Sequence, residues 1–175
     1  AFSHIQTCCR AGIVSGYPDG TYRPAQTVTR DQMAVFISRA LAGGDELVPT
    51  GPATASFTDV LTDHWAFRYV EYAVDNGVVA GYPDETYRPA LTVTRDQMAV
   101  FVSRAMVGGD DYVPTGPETA AFTDVLIDHW AFRYIEYLRS EGVVGGYPDG
   151  TYRPAVAVTR DQMAVYIQRA SALPM

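Results

Sequence analysis

The sequence predicts an all-α, mostly helical protein made of three tandem helix–hinge–helix repeats. The octapeptide Val-Thr-Arg-Asp-Gln-Met-Ala-Val occurs three times at a spacing of 65 residues, beginning at Val28, Val93 and Val158. A Gly-Tyr-Pro-Asp segment precedes each copy, and apolar residues at helical spacing follow it. A fixed period indicates one unit copied in tandem, which favours a repeated binding site over a single active site. The predicted repeats, the last two including a leading linker, are residues 1–44, 45–109 and 110–175.

The first helix of each full repeat is predicted to begin at Asp63-His64-Trp65 and at Asp128-His129-Trp130. Asp is a good N-cap residue, and Gly77 and Gly142 are suited to end these helices. The pentapeptide Phe-Thr-Asp-Val-Leu, which precedes each of them, is predicted to run extended.

The second helix has a more complete start signal. Thr29 and Gln32 form the capping-box pattern, and Val28 and Met33 occupy the two positions of a hydrophobic staple. Apolar residues then recur on one face until two glycines end the helix after residue 42. The same pattern follows Thr94 and Thr159.

Repeat 1 lacks the opening that the other repeats have. Ala1-Phe2 aligns with Ala66-Phe67, so the Phe-Thr-Asp-Val and His-Trp segments have no counterpart. We therefore expect an open face at repeat 1, through which the chain would form a homo-oligomer or a polymer.

Composition excludes several classes of function. The net charge of −7 argues against nucleic acid and against an anionic membrane surface. No apolar run is long enough to span a bilayer, so no membrane insertion is predicted. The two cysteines are adjacent, and alignment of the repeats predicts a buried Cys8 and an outward Cys9. Two unpaired thiols and an intermolecular disulfide through Cys9 both remain open.

No catalytic constellation and no metal-ligand spacing repeats in the sequence. His64 and His129 recur in place, but no Cys or Ser nucleophile recurs near them. We therefore predict a protein that is not an enzyme, with no catalytic residues, no cofactor and no metal.

Arginine stands at the first position of each second helix, where a positive charge opposes the helix dipole. Free N–H groups at a helix N-terminus attract anions, and a guanidinium beside them adds a bidentate carboxylate clamp. The alternative is a structural ion pair, with Arg95 held by Asp59 or by an Asp of the next unit. The candidate anion-binding residues are Arg30, Arg95 and Arg160.

Other residues are candidates for contacting a sugar. A Trp side chain suits the C–H face of a sugar ring, although these two residues also suit a helix core. The carboxylates that precede the first helices would orient an Arg, bind a hydroxyl or cap a turn. The hinge tyrosines and the glycines before them are placed to line a groove. These candidates are Trp65, Trp130, Asp59, Asp124, Tyr17, Tyr82, Tyr147, Gly16, Gly81 and Gly146.

Together these segments resemble the S-layer homology family over the whole chain. The resemblance rests on Phe57-Thr-Asp-Val with His64-Trp65-Ala66, on Gly81-Tyr-Pro-Asp-Glu-Thr-Tyr-Arg-Pro, and on Thr94-Arg95-Asp96-Gln97. It implies three modules packed around a pseudo-threefold axis. It also implies an extracellular protein that binds cell-wall polysaccharide, commonly one bearing a pyruvate ketal, with the three arginines above in the ligand groove.

The chain departs from the family pattern in three ways, one of which is the missing opening of repeat 1. The motif reads Thr-Arg-Asp-Gln where the family has Thr-Arg-Ala-Glu, and Glu85 stands where the other two copies have glycine. The alternative function, in a different class, is a self-assembling structural subunit of an S-layer or an extracellular filament. An anchor and an assembling subunit are compatible roles.

Overall fold

The computed structural model describes residues 1–171 and confirms the mostly helical class. Two short 3-10 turns, Asp45–Leu47 and Asp110–Tyr112, follow the second helices of repeats 1 and 2. Among the described residues, strand pairing is limited to isolated bridges. The α-helices are α1 Phe2–Arg10, α2 Arg30–Ala42, α3 Phe67–Asp75, α4 Arg95–Val107, α5 Phe132–Ser140 and α6 Arg160–Ala170.

The second helices begin as predicted. Thr29 is the N-cap of α2 in an extended conformation, and both halves of the capping box with Gln32 are present. Val28 and Met33 are fully buried, and Gly43 ends the helix in the left-handed region at φ 85°. Burial extends around most of the helix surface, because α2 lies inside the bundle and not on its outside.

The first helices begin later than predicted. The helices α3 and α5 begin at Phe67 and Phe132, and neither has a side-chain cap. The predicted caps Asp63 and Asp128 lie four residues earlier, because the chain makes a separate turn there. In that turn the His64 N–H donates to the Leu61 carbonyl at 2.9 Å, and the Phe67 N–H donates to the His64 carbonyl at 2.9 Å.

The segment before these helices is also not extended. Phe57–Val60 forms a turn, which the Val60 N–H closes on the Phe57 carbonyl at 3.5 Å. Residues 122–125 form the same turn. The turn brings Phe57 and Asp59 to the hinge of the same repeat, and the extended prediction missed this placement.

A closed ring of backbone hydrogen bonds defines the pseudo-threefold axis. The Val28 N–H donates to the Val158 carbonyl, the Val93 N–H to the Val28 carbonyl and the Val158 N–H to the Val93 carbonyl, each at 2.9 Å. The three valines are fully buried. Because each repeat donates to one neighbour and accepts from the other, the ring has no free end, and α2, α4 and α6 pack on one another below it.

Helix pairs form across repeat boundaries. The helix α2 packs on α3, α4 packs on α5, and α6 packs on α1. In the first pair the Ser38 hydroxyl donates to the Tyr69 carbonyl at 2.7 Å. In the last pair His4 Nδ1 lies 2.8 Å from Gln168 Oε1. Repeat 1 therefore contributes a packed first helix, and a homo-oligomer formed through repeat 1 stays a prediction.

A repeated polar cluster binds each linker to the helices on either side of it. The Asp45 carboxylate accepts from Arg39 Nε at 2.8 Å, from Arg68 Nη2 at 2.9 Å and from the Tyr69 hydroxyl. Partial burial opposes the charged carboxylate, but these donors outweigh it, so the pKa of Asp45 is lowered. Asp110 occupies the same place in the next linker.

The cysteines lie where the repeats predict. Cys8 is buried and Cys9 is exposed, and both are free thiols. Burial raises the pKa of Cys8 to about 11, so this thiol is inert at neutral pH.

Candidate functional site: three arginine positions around the ring

Each central helix begins with an arginine that reaches into the hinge of another repeat. Arg30 is 5% exposed, and its Nε donates to the Tyr87 carbonyl at 2.7 Å. The Tyr87 hydroxyl in turn donates to the Arg30 carbonyl at 2.8 Å. Burial raises the pKa of this phenol, so it stays a donor at any physiological pH. The equivalent pairs are Arg95 with Tyr152 and Arg160 with Tyr22.

Aromatic rings surround each guanidinium. The Arg30 guanidinium carbon lies 4.5 Å from the Tyr87 ring centre, 5.1 Å from that of Tyr82 and 5.3 Å from that of Phe101. The negative faces of such rings stabilise a cation where water is scarce. This environment lets the charge remain buried without an acidic partner.

No carboxylate lies within 4.0 Å of these three guanidiniums among residues 1–171. The alternative of an ion pair with Asp59 is therefore wrong: both oxygens of Asp59 accept from backbone, the Tyr87 N–H at 2.7 Å and the Arg88 N–H at 2.8 Å. Buried arginines are usually paired with an acid. These positions thus carry positive charge that the described protein does not neutralise.

The terminal nitrogens of Arg30 face open space. Its Nε is bonded to the hinge, whereas Nη1 and Nη2 have no hydrogen-bond partner within residues 1–171. No fully buried side-chain nitrogen or oxygen in that part of the chain lacks a partner, so these two nitrogens must be solvent-accessible. They are directed to a groove, which we name the Trp130 groove.

The Trp130 groove is an open cavity of about 230 Å³. Arg30 of repeat 1, Tyr82 of the repeat 2 hinge and Trp130 of repeat 3 line it together, so three repeats meet at one site. Its wall is one face of α4. The remaining lining residues are Ala80, Gly81, Gln97, Val100, Phe101 and Arg104.

A second cavity of about 160 Å³, the Trp65 groove, repeats this arrangement one step around the ring. Arg160, Tyr17 and Trp65 correspond to the three residues just described. Arg160 donates an additional hydrogen bond from Nη2 to the Ser15 carbonyl at 2.9 Å. The remaining lining residues are Ser15, Gly16, Gln32, Val35, Phe36 and Arg39.

The third position, the Arg95 position, differs from the two grooves. Tyr166 stands where the grooves have Phe36 and Phe101, and its hydroxyl accepts from Arg95 Nη1. Arg95 Nη2 donates to the Gly145 carbonyl at 3.1 Å. The Arg95 guanidinium carbon lies 5.4 Å from the Tyr147 ring centre. The three arginines are therefore not equivalent.

The two tryptophans are groove residues and not core residues. Trp65 is 59% exposed and Trp130 is 58% exposed, because they lie in the turn before α3 and α5 and not inside those helices. The core alternative is thus wrong. Each indole stacks on the preceding histidine at 6.0 Å between ring centres, which leaves one side of the ring available to a ligand.

Sequence reasoning missed the helical wall of the grooves. Gln32, Phe36 and Arg39 lie on one face of α2 at the spacing of successive turns, and Gln97, Phe101 and Arg104 do so on α4. The apolar pattern assigned the aromatic members to the core. Their recurrence beside a capping-box Gln was the available signal.

The remaining predicted residues lie beside the grooves. Asp59 and Asp124 stabilise the hinges through backbone N–H groups and do not line either cavity. Gly16 and Gly81 line the grooves, whereas Gly146 lies against the Phe122 ring in the third hinge. The proposed sugar-binding role of all these residues remains a prediction.

Each hinge is stiffened by an exposed ion pair on its outer side. Asp84 accepts from the Thr86 hydroxyl at 2.6 Å and from Arg88 Nη2 at 2.9 Å. These donors lower the pKa of Asp84 to about 2. The Arg88 guanidinium also lies 3.9 Å from the Tyr82 ring centre, so the groove tyrosine is held in place from behind.

A further cavity, of about 280 Å³, lies between the C-terminal ends of α2, α4 and α6. Its lining is almost wholly apolar, with Ser171 the one polar residue. It offers no charge to an anionic ligand. No group of three His, Cys, Asp or Glu side chains placed to hold a metal occurs in residues 1–171.

Three cross-repeat arginine positions on a closed ring of helix pairs define a repeat-built, mostly helical module. A family model described as the S-layer homology domain matches residues 1–34, 56–99 and 121–164, well over half of the chain. The chain belongs to the S-layer homology domain family.

Curated relatives agree with this assignment. The chain is 35% identical over 161 residues to cell surface glycoprotein 1 of Acetivibrio thermocellus, which covers 89% of this chain and 7% of that protein. It is 31% identical over 159 residues to the cellulosome-anchoring protein of the same organism, covering 91% of this chain and 35% of that protein. It is 31% identical over 156 residues to S-layer protein EA1 of Bacillus anthracis, covering 89% of this chain and 17% of that protein.

The chain thus spans about a third or less of the length of these relatives. Family and relatives place it outside the cell, at the cell surface. No helix of residues 1–171 is both long and apolar enough to cross a membrane.

Proposed function

We propose that this chain is a non-catalytic anchoring module that binds an anionic, pyruvylated cell-wall polysaccharide in the Trp65 and Trp130 grooves. The observation that carries the proposal is a buried arginine in each groove with no carboxylate partner in the described chain. A ligand carboxylate would supply the missing counter-charge, and a guanidinium binds carboxylates through paired N–H groups.

The other groove residues fit a sugar. A pyruvate ketal places its carboxylate on a saccharide ring, so the ligand needs an anion site next to an aromatic surface. Each groove provides this combination, with the half-exposed indole facing the cavity that the arginine borders. Gln32 and Gln97 add neutral amides that suit sugar hydroxyls.

The Thr-Arg-Asp-Gln variation is compatible with this role. Asp31 is occupied locally, because it accepts from the Thr29 hydroxyl and from the Gln32 N–H at 2.7 Å. Its charge thus supports the helix N-terminus and does not enter the groove. The groove keeps one net positive centre, and the relative named a cellulosome-anchoring protein is consistent with an anchoring role.

Binding to purified cell-wall polysaccharide tests this function. The parent chain should sediment with the polymer, and removal of the pyruvyl groups should weaken binding by roughly 10- to 150-fold, which corresponds to a charged hydrogen-bonded pair of about 1.5–3 kcal/mol. The double variant Arg30→Gln/Arg160→Gln should lose binding to the same extent. Equal binding of the polymer with and without pyruvate would refute the assignment of ligand.

A second candidate function is a self-assembling subunit of a surface layer or filament. The relative named S-layer protein EA1 favours it. Light scattering and electron microscopy of the purified chain test it. Assemblies that grow with concentration support it, and a monomer at all concentrations contradicts it.

A further inference from the structure

Two equivalent clefts lie between a linker and the first helix that follows it. The first is lined by residues 49–52 and by residues of α3, and it has a volume of about 270 Å³. The second, which we name the Glu136 cleft, is lined by residues 114–117 and by six residues between 133 and 141, and it has a volume of about 460 Å³. Neither shares a lining residue with the Trp65 or Trp130 groove, so both lie apart from the site proposed above.

A buried glutamate lines each cleft, but its hydrogen bonds differ between the two. Glu71 is 2% exposed, and both of its oxygens are occupied by Ser56, whose N–H donates at 2.8 Å and whose hydroxyl donates at 2.6 Å. Glu136 is 5% exposed, and Ala121 stands where the first cleft has Ser56. The Ala121 N–H donates to Glu136 Oε1 at 2.7 Å, whereas Oε2 has no hydrogen-bond partner within residues 1–171.

The second oxygen of Glu136 faces the cleft. No fully buried side-chain oxygen in residues 1–171 lacks a hydrogen-bond partner, so Oε2 must reach the surface of the cavity that Glu136 lines. A carboxylate oxygen that is largely removed from water is costly unless a donor reaches it. The cleft therefore favours a ligand that supplies a hydrogen-bond donor at this point.

Donors lie in the same cleft. The Tyr137 hydroxyl and the Arg139 guanidinium have no hydrogen-bond partner within residues 1–171. Partial burial and the Glu141 carboxylate raise the pKa of Tyr137, so its hydroxyl stays protonated and able to donate. A group that both donates and accepts, such as a pair of neighbouring hydroxyls, matches this lining.

The charge of the lining favours a neutral ligand. Two arginines and two glutamates line the cleft, so their charges cancel. A cation would meet the two guanidiniums, and an anion would meet the two carboxylates. The Tyr137 ring and the rings of Pro114 and Pro117 add an apolar surface, which suits the C–H face of a sugar.

The linker that forms one wall is held at both ends. Arg133 Nη1 donates to the Val113 carbonyl at 3.4 Å, and Glu136 accepts from Ala121 at the other end. Between them Gly116 lies so close to the Phe132 ring that an added Cβ would come within 2.4 Å of it. A wall fixed in this way reduces the entropy that a ligand must remove on binding.

We propose that the Glu136 cleft binds a neutral saccharide, with one hydroxyl donating to Glu136 Oε2 and a neighbouring hydroxyl accepting from Arg139. The sugar ring lies against Tyr137. The volume of about 460 Å³ falls within the range of about 300–1,000 Å³ that is usual for small-molecule sites. This site needs no pyruvate and does not rest on the proposed function of the two grooves.

A titration with neutral oligosaccharides, prepared from cell-wall polysaccharide by removal of pyruvate, tests the proposal. In the ¹⁵N-labelled chain the amide signal of Ala121 should shift, because its N–H donates to the carboxylate that binds the sugar. The amide of Ser56 should not shift, because Glu71 in the first cleft has both oxygens occupied. Absence of a shift at Ala121 up to millimolar saccharide, or an equal shift at Ser56, would overturn the proposal.

Two substitutions convert the Glu136 cleft toward its counterpart in repeat 2. Ala121→Ser and Arg139→Val introduce the residue types that stand at positions 56 and 74. Each should weaken saccharide binding about tenfold or more, the first by occupying Glu136 Oε2 and the second by removing a donor. Ala121→Ser should keep or raise the Tm, because it adds the bond that Ser56 makes to Glu71. Unchanged binding in either variant contradicts the proposal.

Two further arms separate this site from the grooves and from a cation site. The double variant Arg30→Gln/Arg160→Gln should keep the saccharide-dependent shift of Ala121, whether or not it still binds pyruvylated polymer. Loss of that shift would show that the neutral saccharide depends on the grooves, and the proposal would fail. A shift of Ala121 with methylammonium chloride but not with saccharide would assign the cleft to a cation and would also overturn the proposal.

Discussion

The pairing of arginines with tryptophans across repeats is testable groove by groove. Arg30 borders the groove of Trp130, and Arg160 borders that of Trp65. The chain has two tryptophans, one in each groove, so replacing either by Phe leaves a single fluorescent reporter. Because the indoles are 59% and 58% exposed, a sugar that stacks on one should shift its emission to the blue.

The magnitude follows from the lost contact. Arg→Gln removes the charged fork that would hold the ligand carboxylate, which is about 1.5–3 kcal/mol or roughly 10- to 150-fold in Kd. It also removes the Nε bond to a hinge carbonyl, which at Arg30 measures 2.7 Å, so about 1–2 kcal/mol of stability should be lost. Unfolding in urea checks that each variant is still folded under the binding conditions.

The assay compares six proteins, two single-tryptophan parents and two arginine variants of each, in a fluorescence titration with pyruvylated wall saccharide. In Trp65→Phe, where Trp130 reports, Arg30→Gln should weaken the response and Arg160→Gln should leave it unchanged. In Trp130→Phe the two arginines should exchange roles. The cross-repeat site would be refuted if both arginine substitutions weakened the response of one tryptophan equally, or if Arg30→Gln weakened the response of Trp65.

Three further predictions follow from single residues. Tyr166→Phe should remove the hydrogen bond to Arg95 Nη1, at a stability cost of about 1 kcal/mol. Because Arg95 Nη1 is then free to bind a ligand, calorimetry should show more than two saccharides bound per chain. An unchanged number of bound saccharides contradicts the prediction. Glu85→Gly should stabilise the chain by about 0.5–1 kcal/mol in urea unfolding, because Glu85 holds φ 62° where the other hinges have Gly at 78° and 80°; Gly150→Ala should do the reverse. Asp45→Asn should cost about 1 kcal/mol at pH 7, after allowance for its partial exposure. Since the folded pKa of Asp45 is lowered, that contribution is present above the ordinary Asp pKa and is lost as pH falls through the folded pKa. The stability difference between parent and variant should therefore shrink in acid, and a difference that stays constant through the acid range contradicts the prediction.

The sequence was most informative where a signal is local. The capping box at Thr29 and the glycine at Gly43 fixed both ends of α2, because each depends on residues within one turn. It failed at α3, where an Asp-His-Trp turn precedes the helix and a good N-cap residue at Asp63 lies outside it. Composition alone does not distinguish a cap from a turn residue.

The sequence pattern did not predict the contacts between residues of different repeats. Periodicity places Arg30 and Tyr17 in the same repeat, but in the structure Arg30 contacts Tyr87 and Tyr82 of the next repeat. Helix pairing across boundaries is equally non-local, since the bonds that join neighbouring repeats, the ring of Val28, Val93 and Val158 among them, connect residues far apart in the sequence. The resemblance to a family supplied the threefold packing that the residues alone left open.

The cross-repeat construction explains why each groove needs three repeats. Each groove takes its arginine from one repeat, its hinge tyrosine and helix wall from a second, and its tryptophan from a third. A single repeat would expose Arg30 without the Tyr87 carbonyl that orients it, and would carry an indole with no cavity beside it. Closure of the valine ring and packing of α1 on α6 therefore assemble the two grooves as well as the core. Loss of ring closure should remove both grooves together, since neither contains residues of fewer than three repeats.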